Sequence, residues 1–188
     1  VPNVLAGVEE VDLSTTVMGI PIDLPLFLSP TALQRLFHHE GERAVGRAAE
    51  AFNTLFGISS LATVGIEEIA EKIRTPKIFQ LYYHKDKALT WSMIDRCLDA
   101  GFDALALTVD TIVGGNRERD LWTGFTSPPK LTPSSLLSFA AHPSWTLNYL
   151  LRDPFELSNL KDHVAEGSNI SISVSDYFST MLDQTMDW

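Results

Sequence analysis

The sequence predicts an α/β fold with a parallel sheet, and three observations support that fold class. Short apolar runs recur between residues 24 and 109, and amphipathic helical patterns fill the intervals between them. The runs are nearly continuous rather than alternating, which is typical of parallel strands covered on both faces. The chain has 188 residues, 45% of them hydrophobic, which is enough for one domain with its own core.

Four apolar runs are the predicted strands: residues 24–29, 54–59, 77–82 and 103–109. A polar residue lies at or near the carboxyl end of each run. Ahead of the first run, residues 15–18 and 20–23 flank Gly19, and this pattern predicts a short hairpin.

Three amphipathic patterns are the predicted helices, at residues 40–52, 66–73 and 86–100. In the first of them, the predicted apolar face consists of Ala44, Val45, Ala48, Ala49 and Phe52. Asp86 is suited to cap the third helix, and Gly101 is suited to follow its last turn. Cys97 lies on the apolar face of that helix, so we expect a buried thiol there.

The alternation of strands and helices predicts right-handed crossovers between parallel neighbours. Each unit is about 20–30 residues long, which fits a (β/α)8 TIM barrel and also a five-stranded doubly wound sheet. Spacing alone does not choose between the two. Beyond residue 110, glycines and prolines interrupt the pattern, so residues 111–175 are predicted to form one long excursion.

Composition excludes several classes of function. The net charge of −10 argues against a nucleic-acid partner, because phosphate binding needs clustered cations. The single cysteine excludes an internal disulfide or a multi-cysteine metal site, and it fits a reducing, cytoplasmic compartment. The five histidines have no metal-ligand spacing, so we expect surface or capping roles for them and no metal site.

The candidate site is the set of residues at the carboxyl ends of the predicted strands, where parallel α/β folds bind their ligands. The set comprises Ser29, Pro30, Thr31, Ala32, Ser59, Ser60, Gln80, Tyr82, Thr108 and Asp110. Most are neutral hydrogen-bonding groups, which suit a planar heteroaromatic cofactor. An equally good interpretation is that serine and threonine simply end strands. Arg117 could bind a carboxylate, or it could belong to the solvated charged run at 116–120.

Four stretches of the chain resemble the FMN-dependent 2-hydroxy-acid dehydrogenases and oxidases, a family that includes L-lactate dehydrogenase, glycolate oxidase and mandelate dehydrogenase. They are LSPTALQ at 28–34, ISSLAT at 58–63, FQLY at 79–82, and LTVDT at 107–111 followed by RERD at 117–120. The resemblance extends over essentially the whole chain. It implies a TIM barrel of which residues 1–188, as one partial FMN-binding domain, supply about the first four βα units and a long loop.

The resemblance also implies a function, the FMN-dependent oxidation of a small L-2-hydroxy acid of the lactate type to a 2-keto acid. The residues that would contact or hydrogen-bond the flavin are Pro30, Thr31, Ala32, Ser59, Gln80 and Thr108. Tyr82 would act in catalysis and hold the substrate, and Arg117 would help to hold its carboxylate. Asp110 would pair with a catalytic histidine.

The sequence departs from the family pattern in two respects. The family's catalytic histidine lies in an S-N-H-G-x-R-Q stretch that these residues do not contain. We therefore expect the chain to be the amino-terminal half of a longer enzyme and inactive alone; the alternative is a non-catalytic half-barrel that needs a second half or a partner chain. Leu61 stands where glycolate oxidases have tryptophan, and Gly114 stands where several members have a bulkier residue, which suggests a roomier substrate pocket.

Residues 131–151 contain no charged side chain, but prolines and hydroxyl residues argue against a transmembrane helix. Two interpretations stay open. One is an interfacial segment anchored by Trp145, Tyr149 and leucines, peripheral to the inner membrane. The other, which we favour, is a loop packed on the barrel or on a neighbouring subunit. By analogy with the family we expect a homo-oligomer, while the electron acceptor (oxygen, a quinone or a cytochrome) stays open.

Overall fold

The computed structural model describes residues 7, 10–111, 115–116, 118–124, 131–154, 156–161, 180–185 and 187. Five strands and seven helices lie in this part of the chain. In chain order they are β1 (Thr15–Val17), β2 (Ile20–Ile22), α1 (Gln34–Phe37), α2 (Glu42–Ala51), β3 (Phe56–Ser59), α3 (Ile66–Lys72), β4 (Lys77–Tyr82), α4 (Lys87–Asp99), β5 (Ala104–Thr108), α5 (Glu118–Thr123), α6 (Pro133–Ala141) and α7 (Pro143–Leu150).

Three strands form a parallel sheet in the order β3, β4, β5. In its register, Ser59 lies beside Gln80 and Tyr82 lies beside Thr108. β4 occupies its predicted range, and β3 and β5 lie within theirs. The predicted α/β class with a parallel sheet is therefore confirmed.

The predicted strand at residues 24–29 is reduced to a single parallel bridge between Leu28 and Phe56. The Leu28 amide donates to the carbonyl of Leu55 (3.0 Å), and the Gly57 amide donates to the carbonyl of Leu28 (2.8 Å). Proline has no amide hydrogen, and prolines at positions 25 and 30 stop the ladder on both sides. The segment still runs beside β3 and delivers its next residues to the same edge of the sheet.

The outer face of the sheet packs against the helices. Phe56, Ile58, Phe79 and Leu81 are fully buried in the main hydrophobic core. Its other members in and around α3 and α4 are Ile66, Ile69, Ile73, Leu89, Met93 and Cys97. This packing explains why β3 and β4 are nearly continuous apolar runs.

β1 and β2 form the predicted hairpin, which packs on the inner face of the sheet. Its turn places Met18 and Gly19 at positive φ (53° and 81°), which suits a two-residue hairpin turn. Ile22 is buried with Leu55 and Ile78 in a second, smaller cluster. The hairpin therefore covers the inner face near the amino-terminal ends of the strands and leaves the carboxyl ends to polar residues.

β5 contradicts the expectation that every strand is covered on both faces. Its residues alternate between half-buried and exposed, and Leu105 and Leu107 are 43% and 44% exposed. Helices α3 and α4 cover β3 and β4 on the outer face but leave these two leucines exposed to solvent.

Helix α4 agrees closely with its prediction. The Asp86 carboxylate accepts hydrogen bonds from the amides of Ala88 and Leu89 and caps the first turn. Gly101 follows the last turn with a φ of 69°, the left-handed conformation that glycine adopts most easily.

Helix α2 buries only part of its predicted face: Ala49 is in the main core and Val45 packs against it. Ala48 and Phe52 are exposed, whereas Glu42, Gly46 and Ala49 are buried. A Cβ atom at Gly46 would lie 2.8 Å from Ile73 Cγ1 and 3.0 Å from Phe56 Cε1. Close approach at this glycine therefore determines which face of α2 meets the core.

The excursion predicted at residues 111–175 contains helices α5, α6 and α7, so it is not one structureless loop. At the start of α6, Thr132 Oγ1 accepts from the Ser135 amide (3.2 Å) and Ser135 Oγ accepts from the Thr132 amide (2.8 Å). Pro143 begins α7 and separates it from α6. Within the described ranges, no helix combines the length and the apolar character needed to cross a bilayer.

Candidate functional site

A row of hydrogen bonds joins three side chains at the carboxyl edge of the sheet. Ser59 Oγ donates to Gln80 Oε1 (3.1 Å), and Gln80 Nε2 donates to Thr108 Oγ1 (2.7 Å). Side chains two residues apart on a strand share a face, so Gln80 lies on the inner face with Ile78. Ser59 and Gln80 are buried and Thr108 is half-buried. The structure thus brings together three residues that the sequence placed at one edge.

Ser60 connects the end of β3 to β4. Its hydroxyl donates to the carbonyl of Gln80 (2.6 Å) and accepts from the amide of Tyr82 (3.2 Å). For this serine, the interpretation as a strand-ending residue agrees with its contacts. Tyr82 follows at the edge of the sheet and is half-buried.

Residues 30–32 reach the same edge because β3 has a glycine beside them. A Cβ atom at Gly57 would lie 2.7 Å from Pro30 Cδ. The next residue, Leu33, has a φ of 56°, and its amide donates to the carbonyl of Leu61 (3.1 Å). This segment is partly open to solvent: Pro30 and Ala32 are half-buried and Thr31 is exposed.

Gln34 begins α1 directly after this segment. Its Nε2 donates to Thr31 Oγ1 (2.8 Å). Its Oε1 is buried and accepts no hydrogen bond from the described residues. A buried carbonyl oxygen without a donor is uncommon in folded proteins, so this oxygen has capacity for a donor supplied by a ligand or by water.

The sequence analysis missed a buried carboxylate next to the site. Glu42 is fully buried, and it accepts hydrogen bonds from the amide (2.8 Å) and the hydroxyl (2.6 Å) of Thr63. A signal was present in the sequence, because Glu42 precedes Val45 and Ala49 by three and seven residues and so shares a helix face with them. A carboxylate on an apolar face is a candidate for a specific buried contact.

The remaining sequence candidates do not belong to the hydrogen-bonded row. Asp110 follows the end of β5 and is exposed, so it lies at the edge but not in the hydrogen-bonded row. Arg117 and Gly114 lie outside the described residues. Leu61 is 2% exposed and packs in the main core.

His84 is an exception to the surface or capping roles expected of the histidines. It is fully buried at the end of β4, and its amide donates to Thr90 Oγ1 (3.1 Å). A backbone bridge joins His84 to Leu182 and docks residues 180–185 there. His84 therefore holds a returning segment of the chain against the carboxyl edge of the sheet.

Among the described residues, two buried titratable groups have perturbed pKa values, and both lie away from the row. Burial raises the pKa of the Cys97 thiol on α4 to about 12, in keeping with the predicted core thiol. Burial also lowers the pKa of Lys77 at the opposite end of β4, where its ammonium donates to the carbonyls of Ile73 (3.1 Å) and Thr75 (2.9 Å). The row itself consists of neutral side chains.

Helix α7 docks on α1. Trp145 Nε1 donates to the carbonyl of Leu36 (2.9 Å), and the Trp145 and Tyr149 rings stack with centroids 5.1 Å apart. Arg35 Nη2 donates to the carbonyl of Asp153 just beyond α7 (2.9 Å). Trp145 is therefore held by a contact with α1. This contact agrees with the interpretation of residues 131–151 as a packed segment.

This fold and site define an α/β protein with a parallel sheet and a row of polar side chains at its carboxyl edge. The family described as FMN-dependent dehydrogenase matches residues 1–188, and the chain belongs to that family. Family members form TIM barrels and depend on FMN, so the barrel and the cofactor expected from the resemblance are confirmed.

Individual relatives agree with this assignment. The chain is 43% identical to glycolate oxidase 1 of Zea mays over 131 residues, which are 70% of this chain and 36% of the relative. It is 42% identical to L-lactate oxidase of Nostoc sp. over 143 residues, 74% of this chain and 39% of the relative. The crystal structure of the monotopic membrane protein (S)-mandelate dehydrogenase superposes with a TM-score of 0.88 and 29% identity, covering 100% of this chain and 49% of that one. The chain thus spans less than half the length of each.

The residues of the edge fit an FMN ring. A flavin presents both hydrogen-bond donors and acceptors along one side, and the row offers two hydroxyls and a carboxamide. Each of these groups can donate and accept. The buried Gln34 Oε1 adds an acceptor that has no donor among the described residues. The neutral donor set suits a ring system, while the phosphate needs partners beyond this row.

Proposed function

We propose that this protein takes part in the FMN-dependent oxidation of a small L-2-hydroxy acid to a 2-keto acid, with a lactate-type substrate. The observation that carries the proposal is the row Ser59–Gln80–Thr108 at the carboxyl edge of the sheet, in a member of the FMN-dependent dehydrogenase family. When bound, FMN supplies the two-electron redox chemistry, and the protein supplies orientation and charge.

Each residue of the edge has a proposed role. Ser59, Gln80 and Thr108 hydrogen-bond the flavin ring, and because they are already hydrogen-bonded to one another, binding requires little reorganisation. The flavin also contacts the segment Pro30, Thr31 and Ala32. Tyr82 holds the carboxylate or hydroxyl of the substrate, and Arg117 adds a cation for the carboxylate.

Asp110 has a separate role in the proposal. It pairs with a catalytic histidine, accepting a hydrogen bond and stabilising the imidazolium form. That histidine belongs to the S-N-H-G-x-R-Q stretch of the family, which residues 1–188 do not contain. The exposed position of Asp110 beyond β5 leaves its carboxylate accessible to such a partner.

The test uses the flavin-loaded enzyme produced from the complete coding sequence. Under anaerobic conditions, L-lactate should bleach the visible flavin absorbance, and D-lactate should not. Absence of bleaching by lactate, glycolate and mandelate alike would contradict the function. Much faster bleaching by glycolate than by lactate or mandelate would contradict only the lactate-type substrate, which the sequence suggests through the identities of residues 61 and 114.

We also propose that α6 and α7 contact the cytoplasmic face of a membrane peripherally. Trp145 fixes α7 to α1, while six leucines between residues 131 and 151 are more than half exposed. They are Leu131, Leu136, Leu137, Leu147, Leu150 and Leu151. Residues 131–151 carry no charge and the chain is acidic, so attraction to anionic lipid does not drive this contact. The superposed mandelate dehydrogenase is itself described as a monotopic membrane protein.

Flotation with uncharged phosphatidylcholine vesicles tests this contact. The enzyme should float with the vesicles at low and at high salt, because apolar burial is insensitive to screening. The double variant L137S/L150S should stay in solution. A matched control is Leu98→Ser on α4, since Leu98 is 69% exposed and the two targets are 74% and 68% exposed. Unchanged flotation of the double variant would contradict the proposal.

A further inference from the structure

A buried carboxylate joins the two segments that border the proposed flavin site. The first segment, residues 30–35, leads into α1, and the second, residues 60–65, follows β3. Glu42 Oε1 accepts from the Thr63 amide (2.8 Å) and Glu42 Oε2 accepts from the Thr63 hydroxyl (2.6 Å) in the second segment. Thr63 Oγ1 also accepts from the Arg35 amide (3.2 Å) in the first segment. One carboxylate therefore acts on both segments through one threonine.

The Thr63 hydroxyl fixes the direction of this chain of hydrogen bonds. It has a single proton, which it donates to Glu42 Oε2. The hydroxyl oxygen then has lone pairs for the Arg35 amide. Glu42 is fully buried and Thr63 is 2% exposed, so water does not substitute easily for either partner.

The first segment needs such support because its backbone is strained. Leu33 has a φ of 56°, a left-handed conformation that branched apolar residues rarely adopt and that persists only where neighbouring contacts enforce it. The Leu33 amide donates to the carbonyl of Leu61 (3.1 Å) in the second segment, so the hydrogen bonds of Leu33 and Arg35 hold the same junction. A shift of either segment would strain the other.

The residue before Glu42 allows this close approach. Gly41 has a φ of 49°, and a Cβ atom there would lie 2.5 Å from Arg35 Cγ and 3.0 Å from the Arg35 amide nitrogen. Only glycine brings the first turn of α2 this close to α1 without displacing Arg35. The dipeptide Gly41–Glu42 is therefore what brings a carboxylate to Thr63.

We infer that Glu42 is a positioning residue for flavin binding, which acts through Thr63 to fix residues 30–33 against residues 60–65. This inference rests on the proposed function, because it concerns the same site. Glu42 does not itself touch the flavin. It sets the spacing between the segment with Pro30, Thr31 and Ala32 and the strand end with Ser59.

The test compares Thr63→Val with Thr63→Ser in the flavin-loaded enzyme. Valine keeps the shape and the amide of threonine but removes the hydroxyl, so Arg35 loses its acceptor and Glu42 loses a donor. Serine keeps the hydroxyl. We expect T63V to raise the Kd for FMN at least ~10-fold and to alter the shape of the bound flavin's visible spectrum, while T63S stays within ~3-fold of wild type. Glu42→Gln should behave like T63V.

Glu68→Gln is the matched control, because it removes a carboxylate from the neighbouring helix α3, where half-buried Glu68 pairs with half-buried Arg43. It should lower stability slightly and leave the Kd for FMN unchanged. If T63V and E42Q lower the melting temperature but leave the Kd and the spectrum as in wild type, the role is structural only and the inference is wrong. An equal loss in T63S and T63V also overturns it. A wild-type enzyme that binds no FMN would overturn the proposed function as well.

Discussion

Gln80 hydrogen-bonds side chains on both neighbouring strands, and its contact with Thr108 is the shortest of these at 2.7 Å. Its Oε1 accepts from Ser59 Oγ (3.1 Å) while its Nε2 donates to Thr108 Oγ1, so one carboxamide has its orientation fixed from two sides. A side chain held in this way has a fixed orientation before any ligand binds. Preorganisation of this kind favours binding of a rigid planar ring.

Replacing Gln80 with methionine should weaken FMN binding without unfolding the sheet. Methionine has a similar volume and no hydrogen-bonding amide, so the row loses two bonds of about 1 kcal/mol each. We expect the Kd for FMN to rise ~10–100-fold, measured by quenching of flavin fluorescence on titration.

Thr75→Val is the control for this substitution. It removes the buried bond from Thr75 Oγ1 to the carbonyl of Thr54 at the other end of the sheet and should leave the Kd unchanged. Equal FMN affinity in Q80M and wild type would contradict the site.

Replacing Tyr82 with phenylalanine should slow turnover while FMN binding stays normal. The proposed role of the hydroxyl is to hold the substrate's carboxylate or hydroxyl, and loss of one stabilising donor typically costs ~10–1,000-fold in rate. Steady-state kcat/KM for L-lactate, together with the Kd for FMN, separates substrate contact from cofactor contact. Unchanged kinetics in Y82F would remove Tyr82 from the mechanism.

Local patterns predicted much of the fold. β4, the hairpin and α4 with its Asp86 cap and Gly101 follow from residues next to each other in sequence, and the structure contains all three as predicted. The predicted strand at 24–29 was wrong because apolar character does not supply amide donors, and prolines at positions 25 and 30 lack them.

Contacts between distant segments were harder to predict. The buried face of α2 depends on close packing at Gly46 against Phe56 and Ile73, which no local pattern encodes. Glu42 finds its partner Thr63 only after β3 and its following loop have packed against α2. In contrast, the row of Ser59, Gln80 and Thr108 could be predicted, since carboxyl ends of parallel strands meet at one edge.

The free energy of unfolding should fall in acid, in part because Glu68 becomes protonated. Hydrogen bonding to Arg43, and more weakly to Lys72, lowers the pKa of the Glu68 carboxyl from 4.5 to about 2. A depressed folded-state pKa gives stability that is present above 4.5 and is lost as the pH falls toward about 2. Urea unfolding between these pH values should therefore show a shallower acid dependence in E68Q than in wild type. Arg43→Met should flatten the curve similarly, whereas Arg47→Met, which breaks an exposed pair with Glu40, should flatten it less. Identical slopes in all four proteins would contradict this contribution.

The Cys97 thiol should be unreactive in the folded protein. Its pKa of about 12 and its burial leave almost no thiolate near neutral pH, and thiolate is the reactive form. A chromogenic disulfide reagent at about pH 8 should react with one thiol per chain only after denaturant is added. Rapid reaction of the native protein would show that the face of α4 carrying Cys97 opens readily.

Replacing Gly57 with alanine should displace the segment with Pro30 that packs on β3. The added Cβ would lie 2.7 Å from Pro30 Cδ and 2.8 Å from the Leu28 carbonyl oxygen, and neither atom belongs to a flexible side chain. The bridge between Leu28 and β3 must then open to relieve this clash. Overpacking of this kind typically lowers the free energy of unfolding by ~1–3 kcal/mol. We expect a lower melting temperature and a weaker affinity for FMN together, since the segment with Pro30 would move away from Ser59.

The matched control for this substitution is Gly115→Ala, because a Cβ atom there meets none of the described residues within 4 Å and the backbone does not require glycine. Its melting temperature should stay close to that of wild type. If G57A were as stable as G115A, the close packing of Leu28 and Pro30 on β3 would not be what holds the first segment at the edge of the sheet. If G57A lost stability but kept full FMN affinity, Pro30 would not contact the cofactor.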